Sequence, residues 1–227
     1  TNATRGEYYR DNQKHIMPAY DKAPSSSFIS IEKGWKHYNS RPYLSGMFIW
    51  TGFDYRGEPT PFEYPSTGSY FGMVDQCGFY KDTAWYLKSW WQKEPVLHLL
   101  PHWNWSGKEN ETINVWAYSN CDEVELFLNK KSLGKKKMEI NGHLEWNVIY
   151  KPGTLEAIGY KNGKKLLSKT VKTTGNSVAI HLESDKLILD TKNDDVAMIT
   201  VDVKDKSGLH VPISDNEITF SISGPAK

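Results

Sequence analysis

An apolar run followed by a polar, aromatic stretch carries the residue types best suited to ligand chemistry. Leu44 to Trp50 is bounded by turn residues, which predicts a buried strand that ends on Trp50. The chain then becomes rich in glycine and proline and adds Asp54 and Glu58 among further aromatic rings. An indole face stacks on the apolar side of a sugar ring, and a neighbouring carboxylate accepts hydrogen bonds from its hydroxyls. We therefore predict Trp50 and Asp54 as ligand contacts; the alternative is that Trp50 only fills a core.

Carboxylates in the same region are candidates for glycosidic bond cleavage. Retaining hydrolysis uses two carboxylates about 5 to 5.5 Å apart, one as acid and base and one as nucleophile. The candidates are Glu7, Asp54, Glu58, Glu63 and Asp75. No neighbourhood in the sequence singles out a pair among them, so we expect the chain to lack its own catalytic pair.

Two histidines, His98 and His102, lie four residues apart beside Trp103 and Trp105. A metal site needs a third ligand at matching spacing, and the sequence offers none. We predict that these residues pack between domains, and we expect no metal and no cofactor. Phosphate-binding and dinucleotide-binding glycine motifs are also lacking.

The aromatic residues divide the chain into differently built regions, because 23 of the 30 lie in residues 1–105. Within that region, a helix from Ser30 through Tyr38, the strand Leu44 to Trp50, a long loop and a helix Lys81 to Gln92 follow one another, with Asp82 as the expected N-cap. This order is typical of a β/α unit. We assign residues 1–94 to it.

Short alternating strands follow Glu94-Pro95, a pair that ends a helix. They are predicted at 96–100, 112–118, 123–128, 131–137, 143–148, 153–160 and 165–172. Asn162-Gly163 predicts a tight hairpin between the last two. About seven strands in this length indicate an immunoglobulin-like sandwich, assigned to residues 95–175. Strands at 178–183, 195–204 and 217–223 predict the N-terminal part of a further such domain, residues 176–227.

Charge and hydropathy argue against two classes of partner. The net charge is +1, with both signs interspersed, which disfavours nucleic acid and anionic membranes as partners. No apolar run is long enough to span a bilayer. The chain begins without Met and without the features of a signal peptide, so either a leader has been removed or the chain is a piece of a longer protein. The last predicted domain is about half the length of a sandwich, which favours the second expectation.

Several ordered motifs resemble one known family. They are WTGFDYRGEPTP at 50–61, YFGMVD at 70–75, GFYKD at 78–82, PHWNW at 101–105 and DEVELFLN at 122–129. Together they are similar to the C-terminal half of bacterial β-galactosidases of glycoside hydrolase family 2. The resemblance implies a multidomain fold: the C-terminal part of a (β/α)8 TIM barrel, a complete immunoglobulin-like sandwich and a partial second β-sandwich. The strand ending on Trp50 would then be the eighth of the barrel, with its loop at the active-site face.

The resemblance also bears on the site residues. Arg5-Gly6-Glu7-Tyr8 matches a segment that follows the family's nucleophilic glutamate, so that glutamate is expected just before Thr1, and Glu7 receives no role. The acid/base glutamate is expected further upstream. Trp50 is similar to the tryptophan that lines the galactose subsite, and Asp54 and Asp75 are expected as further substrate contacts.

These expectations define one leading hypothesis and one alternative. The chain is expected to be part of a retaining β-galactosidase that is inactive without the remainder of the same polypeptide's barrel, with a β-galactoside or related glycan as substrate and a periplasmic or secreted location. Glucuronides and mannosides remain open as substrates. The alternative is a non-catalytic glycan-binding or scaffolding protein.

Overall fold

The computed structural model describes residues 19–22, 29–59, 62–190, 192 and 195–224. They belong to two compact units, divided between Thr173 and Thr174. The segment containing Glu7 lies outside the described residues. The three domain limits given above stay predictions.

The first helix, α1 (Ile31–Asn39), begins where its sequence predicts. The Ser30 hydroxyl accepts a hydrogen bond from the Lys33 N–H at 3.3 Å, which is the expected N-cap contact. The Asp21 carboxylate accepts two further hydrogen bonds, from the N–H groups of Ile31 and Glu32 at 2.8 and 2.7 Å. Three donors at the start of the helix are thereby satisfied by side chains.

The predicted strand at Leu44–Trp50 is not formed in the described chain. These residues have no strand partner, and Phe48 and Trp50 are 102% and 74% exposed. A strand exists only when a neighbour takes up its N–H and C=O groups, and no barrel strand lies among the described residues. The assignment of residues 1–94 to a barrel therefore stays a prediction.

The second helix, α2 (Asp82–Trp91), corrects one detail of the sequence analysis. Lys81, not Asp82, occupies the N-cap position, and its side chain makes no cap hydrogen bond. The Asp82 carboxylate instead binds His98 Nε2 at 2.6 Å. Asp82 still lies in the first turn, where its negative charge suits the helix dipole.

Seven strands form the predicted sandwich. They are β1 (Leu97–Leu100), β2 (Thr112–Ser119), β3 (Glu123–Leu128), β4 (Lys131–Lys137), β5 (Leu144–Ile149), β6 (Thr154–Lys161) and β7 (Lys164–Lys172). One sheet has the order β1-β2-β5 and the other β4-β3-β6-β7, with antiparallel pairs throughout. Asn162 and Gly163 have φ of 51° and 75°, the left-handed conformation that a tight hairpin between β6 and β7 requires.

Alternation along the strands builds the core between the two sheets. Val124 and Leu126 of β3 and Leu155 and Ala157 of β6 are all 0% exposed, whereas the residues between them are partly exposed. Trp103, also 0% exposed, packs in the same cluster. Each fully buried aliphatic side chain contributes about 1.5–3 kcal/mol, so this core supplies the main driving force for the sandwich.

Helix α2 packs on the sandwich through a second cluster. Tyr86 of α2 and Tyr118 of β2 are both fully buried, with ring centroids 5.6 Å apart. The Tyr86 hydroxyl donates to the Asn141 carbonyl at 2.8 Å, and Leu100 completes the contact. The sandwich therefore fixes the position of α2.

The second unit contains β8 (Ala179–Ser184) paired antiparallel with β9 (Ile199–Lys204). The strand predicted at 217–223 is not formed among the described residues. Asp205 accepts hydrogen bonds from the N–H groups of Gly175, Ser207 and Leu209, and these bonds hold the pKa of its carboxyl below the usual value. The described part of the second unit thus contains one antiparallel strand pair and a turn organised by a carboxylate.

Candidate functional site

Trp50 stands at the surface of the loop that follows it. Its indole is 74% exposed, so it does not fill a core among the described residues. Its Nε1 donates a hydrogen bond to the Tyr55 hydroxyl at 3.1 Å, and the two rings meet edge to face with centroids 5.9 Å apart. The exposed indole is therefore held by Tyr55 and offers an apolar face to a ligand.

Tyr55 links Trp50 to Glu58, one of the candidate carboxylates named from the sequence. The Tyr55 hydroxyl donates to Glu58 Oε2, and this bond is the main reason why the pKa of Tyr55 is raised. Trp50, Tyr55 and Glu58 form a continuous chain of hydrogen bonds, which we call the aromatic wall. Sequence reasoning missed Tyr55 because its role depends on the fold of the loop.

Asp54 directly precedes Tyr55 of the aromatic wall, and its carboxylate makes its bonds inside the protein. Its side chain is 7% exposed; Oδ2 lies 2.6 Å from Lys81 Nζ, and Oδ1 accepts from the Gly72 N–H at 2.7 Å. Burial lowers the pKa of Lys81, although Asp54 opposes that shift. The structure thus brings Asp54 into the same loop as Trp50 but directs its oxygens toward Lys81 and Gly72.

Asp75 organises a turn next to this loop. Its Oδ1 accepts hydrogen bonds from the N–H groups of Cys77 and Phe79 at 2.8 and 2.9 Å. Its own N–H donates to the Phe79 carbonyl. The substrate contacts expected of Asp54 and Asp75 stay predictions, and in the described structure both carboxylates are used to shape the loop.

The loop itself is built from two strips of backbone that bond to each other. Residues 51–57 exchange hydrogen bonds with residues 67–74, among them Asp54 N to Val74 O at 2.9 Å and Ser69 N to Tyr55 O at 2.7 Å. The Ser69 hydroxyl accepts in turn from the Tyr55 N–H at 3.0 Å. Gly72 allows the close approach, because a Cβ there would lie 2.3 Å from the Asp54 nitrogen.

The interdomain packing predicted for the two histidines is seen for His98, whereas His102 packs within residues 95–175. His98 binds Asp82 of α2 and stacks on Trp85 with ring centroids 5.0 Å apart, and His102 stacks on Trp105 at 4.3 Å. No group of metal-ligating side chains exists within the described ranges. Nor does any helix in that part of the chain have the length and hydropathy to cross a membrane.

A cluster that the sequence did not reveal joins α1 to the sandwich. His143 binds Glu32 of α1 through Nδ1 at 2.5 Å and Glu145 of β5 through Nε2 at 2.9 Å, and it stacks on Trp116. Burial alone would lower the pKa of His143, but the two carboxylates outweigh it and raise the pKa above its usual value. The cluster is structural: it ties a helix to a sheet through one imidazole ring.

Two family models match the chain. Residues 110–167, within the sandwich, match a domain of unknown function, DUF4982. Residues 180–227 match glycoside hydrolase family 2 C-terminal domain 5.

Known proteins similar to the chain include two curated relatives and a solved structure. "Beta-galactosidase BoGH2A" of Bacteroides ovatus is 42% identical over 85% of the chain, and a "Putative beta-glucuronidase" of Formosa agariphila is 35% identical over 96%. The crystal structure of a beta-glycosidase from Bacteroides vulgatus superposes with a TM-score of 0.80, at 38% identity, over 86% of the chain. The chain spans only 23%, 22% and 24% of the lengths of these three proteins.

A β-sandwich with an aromatic loop ahead of it is found in a chain that is similar to these proteins over most of its length. The chain belongs to glycoside hydrolase family 2 and corresponds to a part of its C-terminal region.

Proposed function

We propose that the chain is part of a retaining β-galactosidase and that the aromatic wall forms one side of its sugar site. The observation that carries the proposal is the exposed Trp50 indole, held by Tyr55 beside the Glu58 carboxylate. An apolar face next to hydrogen-bonding oxygens is what a neutral pyranose ring requires. The 42% identity to a protein named beta-galactosidase supports the choice of sugar.

Charge in the loop favours a neutral sugar over a uronate. A glucuronide carries a carboxylate, which a binding site meets with a cation. Lys81 is buried and engaged by Asp54, and Glu58 places a negative charge on the wall itself. Arg56 is the loop's exposed cation, and it is the residue on which a preference for glucuronides would depend.

The catalytic carboxylates are proposed to lie elsewhere in the polypeptide. Three described carboxylates of the loop have separate partners, since Asp54 binds Lys81, Glu58 binds Tyr55 and Asp75 binds backbone N–H groups. The fourth candidate, Glu63, is exposed. Residues 1–227 alone should therefore not hydrolyse an aryl β-galactoside. Turnover by this chain that is abolished by Glu7→Gln would contradict the proposal.

The sugar site is tested in the full-length polypeptide with aryl β-galactoside, β-glucuronide and β-mannoside substrates. Trp50→Ala should lower kcat/KM for the galactoside by roughly tenfold to a hundredfold, equivalent to about 1.4–2.8 kcal/mol of lost stacking. Trp91→Ala is the matched control, because Trp91 is a half-exposed tryptophan on α2, outside the loop. Equal losses in the two variants would refute the assignment of Trp50.

A β-glucuronidase is the second candidate, because a relative with that name matches 96% of the chain. It predicts that the glucuronide is the better substrate and that Arg56→Ala removes this preference. The galactosidase proposal predicts that Arg56→Ala changes galactoside turnover by less than about twofold. If the full-length polypeptide hydrolyses none of the three substrates but still binds a glycan through Trp50, the non-catalytic alternative is favoured.

A further inference from the structure

We propose that the buried Lys81–Asp54 pair is a positioning device for the aromatic wall, so that Lys81 and Asp54 control sugar binding without touching the sugar. The inference rests on the proposed function for its consequence, but its geometry is independent of it. Neither residue is a catalytic residue in this scheme. Both act through Tyr55 and Trp50.

The pair is enclosed and its hydrogen bonds are directional. The Lys81 and Asp54 side chains are 6% and 7% exposed, with Nζ and Oδ2 2.6 Å apart. Lys81 Nζ also donates to the Tyr70 carbonyl at 2.9 Å, and Asp54 Oδ1 accepts from the Gly72 N–H at 2.7 Å. One ammonium and one carboxylate thereby fix residues 54, 70 and 72 relative to one another.

The pair acts on Trp50 through adjacent residues. Asp54 directly precedes Tyr55, whose N–H and C=O both bond to Ser69. With its backbone fixed on both sides, Tyr55 presents its hydroxyl to Trp50 Nε1 at 3.1 Å. A displacement of Asp54 would therefore move the hydroxyl that holds the indole.

The pair also fixes the position of the loop relative to helix α2. Lys81 is the N-cap residue of α2, and its N–H donates to the Met73 carbonyl at 3.0 Å. Helix α2 is packed on the sandwich through Tyr86. Lys81 is thus the point at which the loop is attached to an element held by the sandwich core.

Stability alone does not explain an ion pair at this place. Two charges taken out of water lose hydration that their attraction barely repays, and apolar replacements of the same volume are often as stable. What apolar side chains cannot supply is hydrogen bonding to the Tyr70 carbonyl and the Gly72 N–H in one fixed geometry. Positioning and stability can therefore be separated by experiment.

The test compares Lys81→Met, Asp54→Leu and the double variant in the full-length polypeptide. Each single variant leaves one buried group without its partner and should lower the melting temperature and raise KM for the aryl β-galactoside. The double variant removes both charges, so its melting temperature should recover, while KM stays raised by about tenfold and kcat changes by less than about threefold. Ser89→Ala is the control, because Ser89 is buried in α2 and bonds only within the helix, to the Trp85 carbonyl, in the described contacts.

Recovery of both melting temperature and KM in the double variant would overturn the inference and leave the pair as a structural element. A second measurement does not depend on turnover. It follows the ¹⁹F signal of 5-fluorotryptophan at position 50, which is assigned by its loss in Trp50→Phe. The signal should shift or broaden in the double variant and stay unchanged in Ser89→Ala. If the wild-type protein hydrolyses none of the sugars, the proposed function fails, and an unchanged ¹⁹F signal would separately refute the positioning role.

Discussion

Replacing Gly72 by alanine should distort the aromatic loop, because the position has no room for a side chain. A Cβ there would lie 2.3 Å from the Asp54 nitrogen, 2.4 Å from the Phe53 carbonyl carbon and 2.8 Å from Asp54 Oδ1. Ordinary contact begins at 3.4 Å, so the two strips of backbone must separate by 1.1 Å, the difference between 3.4 and 2.3 Å. Backbone atoms, unlike the end of a long side chain, cannot move away independently.

The cost of Gly72→Ala has two parts. Overpacking costs about 1–3 kcal/mol. Separation of the strips also weakens the bond from the Gly72 N–H to the Asp54 carboxylate, and a hydrogen bond to a charged group contributes about 1.5–3 kcal/mol. Alanine recovers about 0.4–1 kcal/mol by restricting the unfolded chain. We expect a net loss of about 1.5–5.6 kcal/mol in the free energy of unfolding.

Urea unfolding followed by tryptophan fluorescence measures this loss in the first compact unit. All nine tryptophans lie between residues 35 and 146, within that unit. Gly52→Ala is the matched control in the same loop, since a Cβ there would meet no atom within 4 Å. The control should be neutral or stabilising by up to about 1 kcal/mol. Equal effects of the two substitutions would refute the steric reasoning.

Three further predictions concern other parts of the first unit. The folded-state pKa of His143 is raised, so the stabilisation that protonated His143 gives to the fold is complete below its usual pKa of about 6.5 and is lost as pH rises through the raised pKa. His143→Gln should therefore lower the free energy of unfolding by about 1.5–3 kcal/mol at pH 5.5 and by little at pH 9. A loss that does not change with pH would contradict this. Leu155→Ala should destabilise the sandwich by about 2–5 kcal/mol in urea, whereas the half-exposed Leu166→Ala should cost less than about 1 kcal/mol; similar costs would contradict the core assignment. A thiol reagent should label the exposed Cys77 rapidly and spare Cys121, whose pKa is raised by burial, and rapid labelling of two thiols in the native protein would refute this assignment.

The sandwich was predictable from sequence because its signals are local. Alternation of buried and exposed residues places β3 and β6 within a residue of their observed bounds, and Asn162-Gly163 fixes the hairpin register. The segment Leu44–Trp50 was not predictable in the same way. Its apolar run is compatible with a strand, but a strand also needs partners, and these are not found among the described residues.

Residue types in the candidate site were predictable, but their partners were not. The sequence identifies Trp50 and Asp54 as candidates because an aromatic ring beside a carboxylate suits the apolar face and the hydroxyls of a sugar. It does not reveal that Asp54 meets Lys81, 27 residues further along, because that contact exists only after the loop has folded. Asp82 shows the same limit: its position at the start of α2 suggests an N-cap, yet its carboxylate binds His98.

The packing of α2 on the sandwich has a consequence for chimeric proteins. Tyr86 and Asp82 attach α2 to β2 and β1, and Lys81 at the start of that helix holds the aromatic loop. An exchange of the sandwich alone between relatives would cut through this contact and leave the helix on a foreign surface. An exchange that keeps the loop, α2 and the sandwich together preserves every contact in the series, and one that also keeps α1 preserves the Glu32–His143 contact.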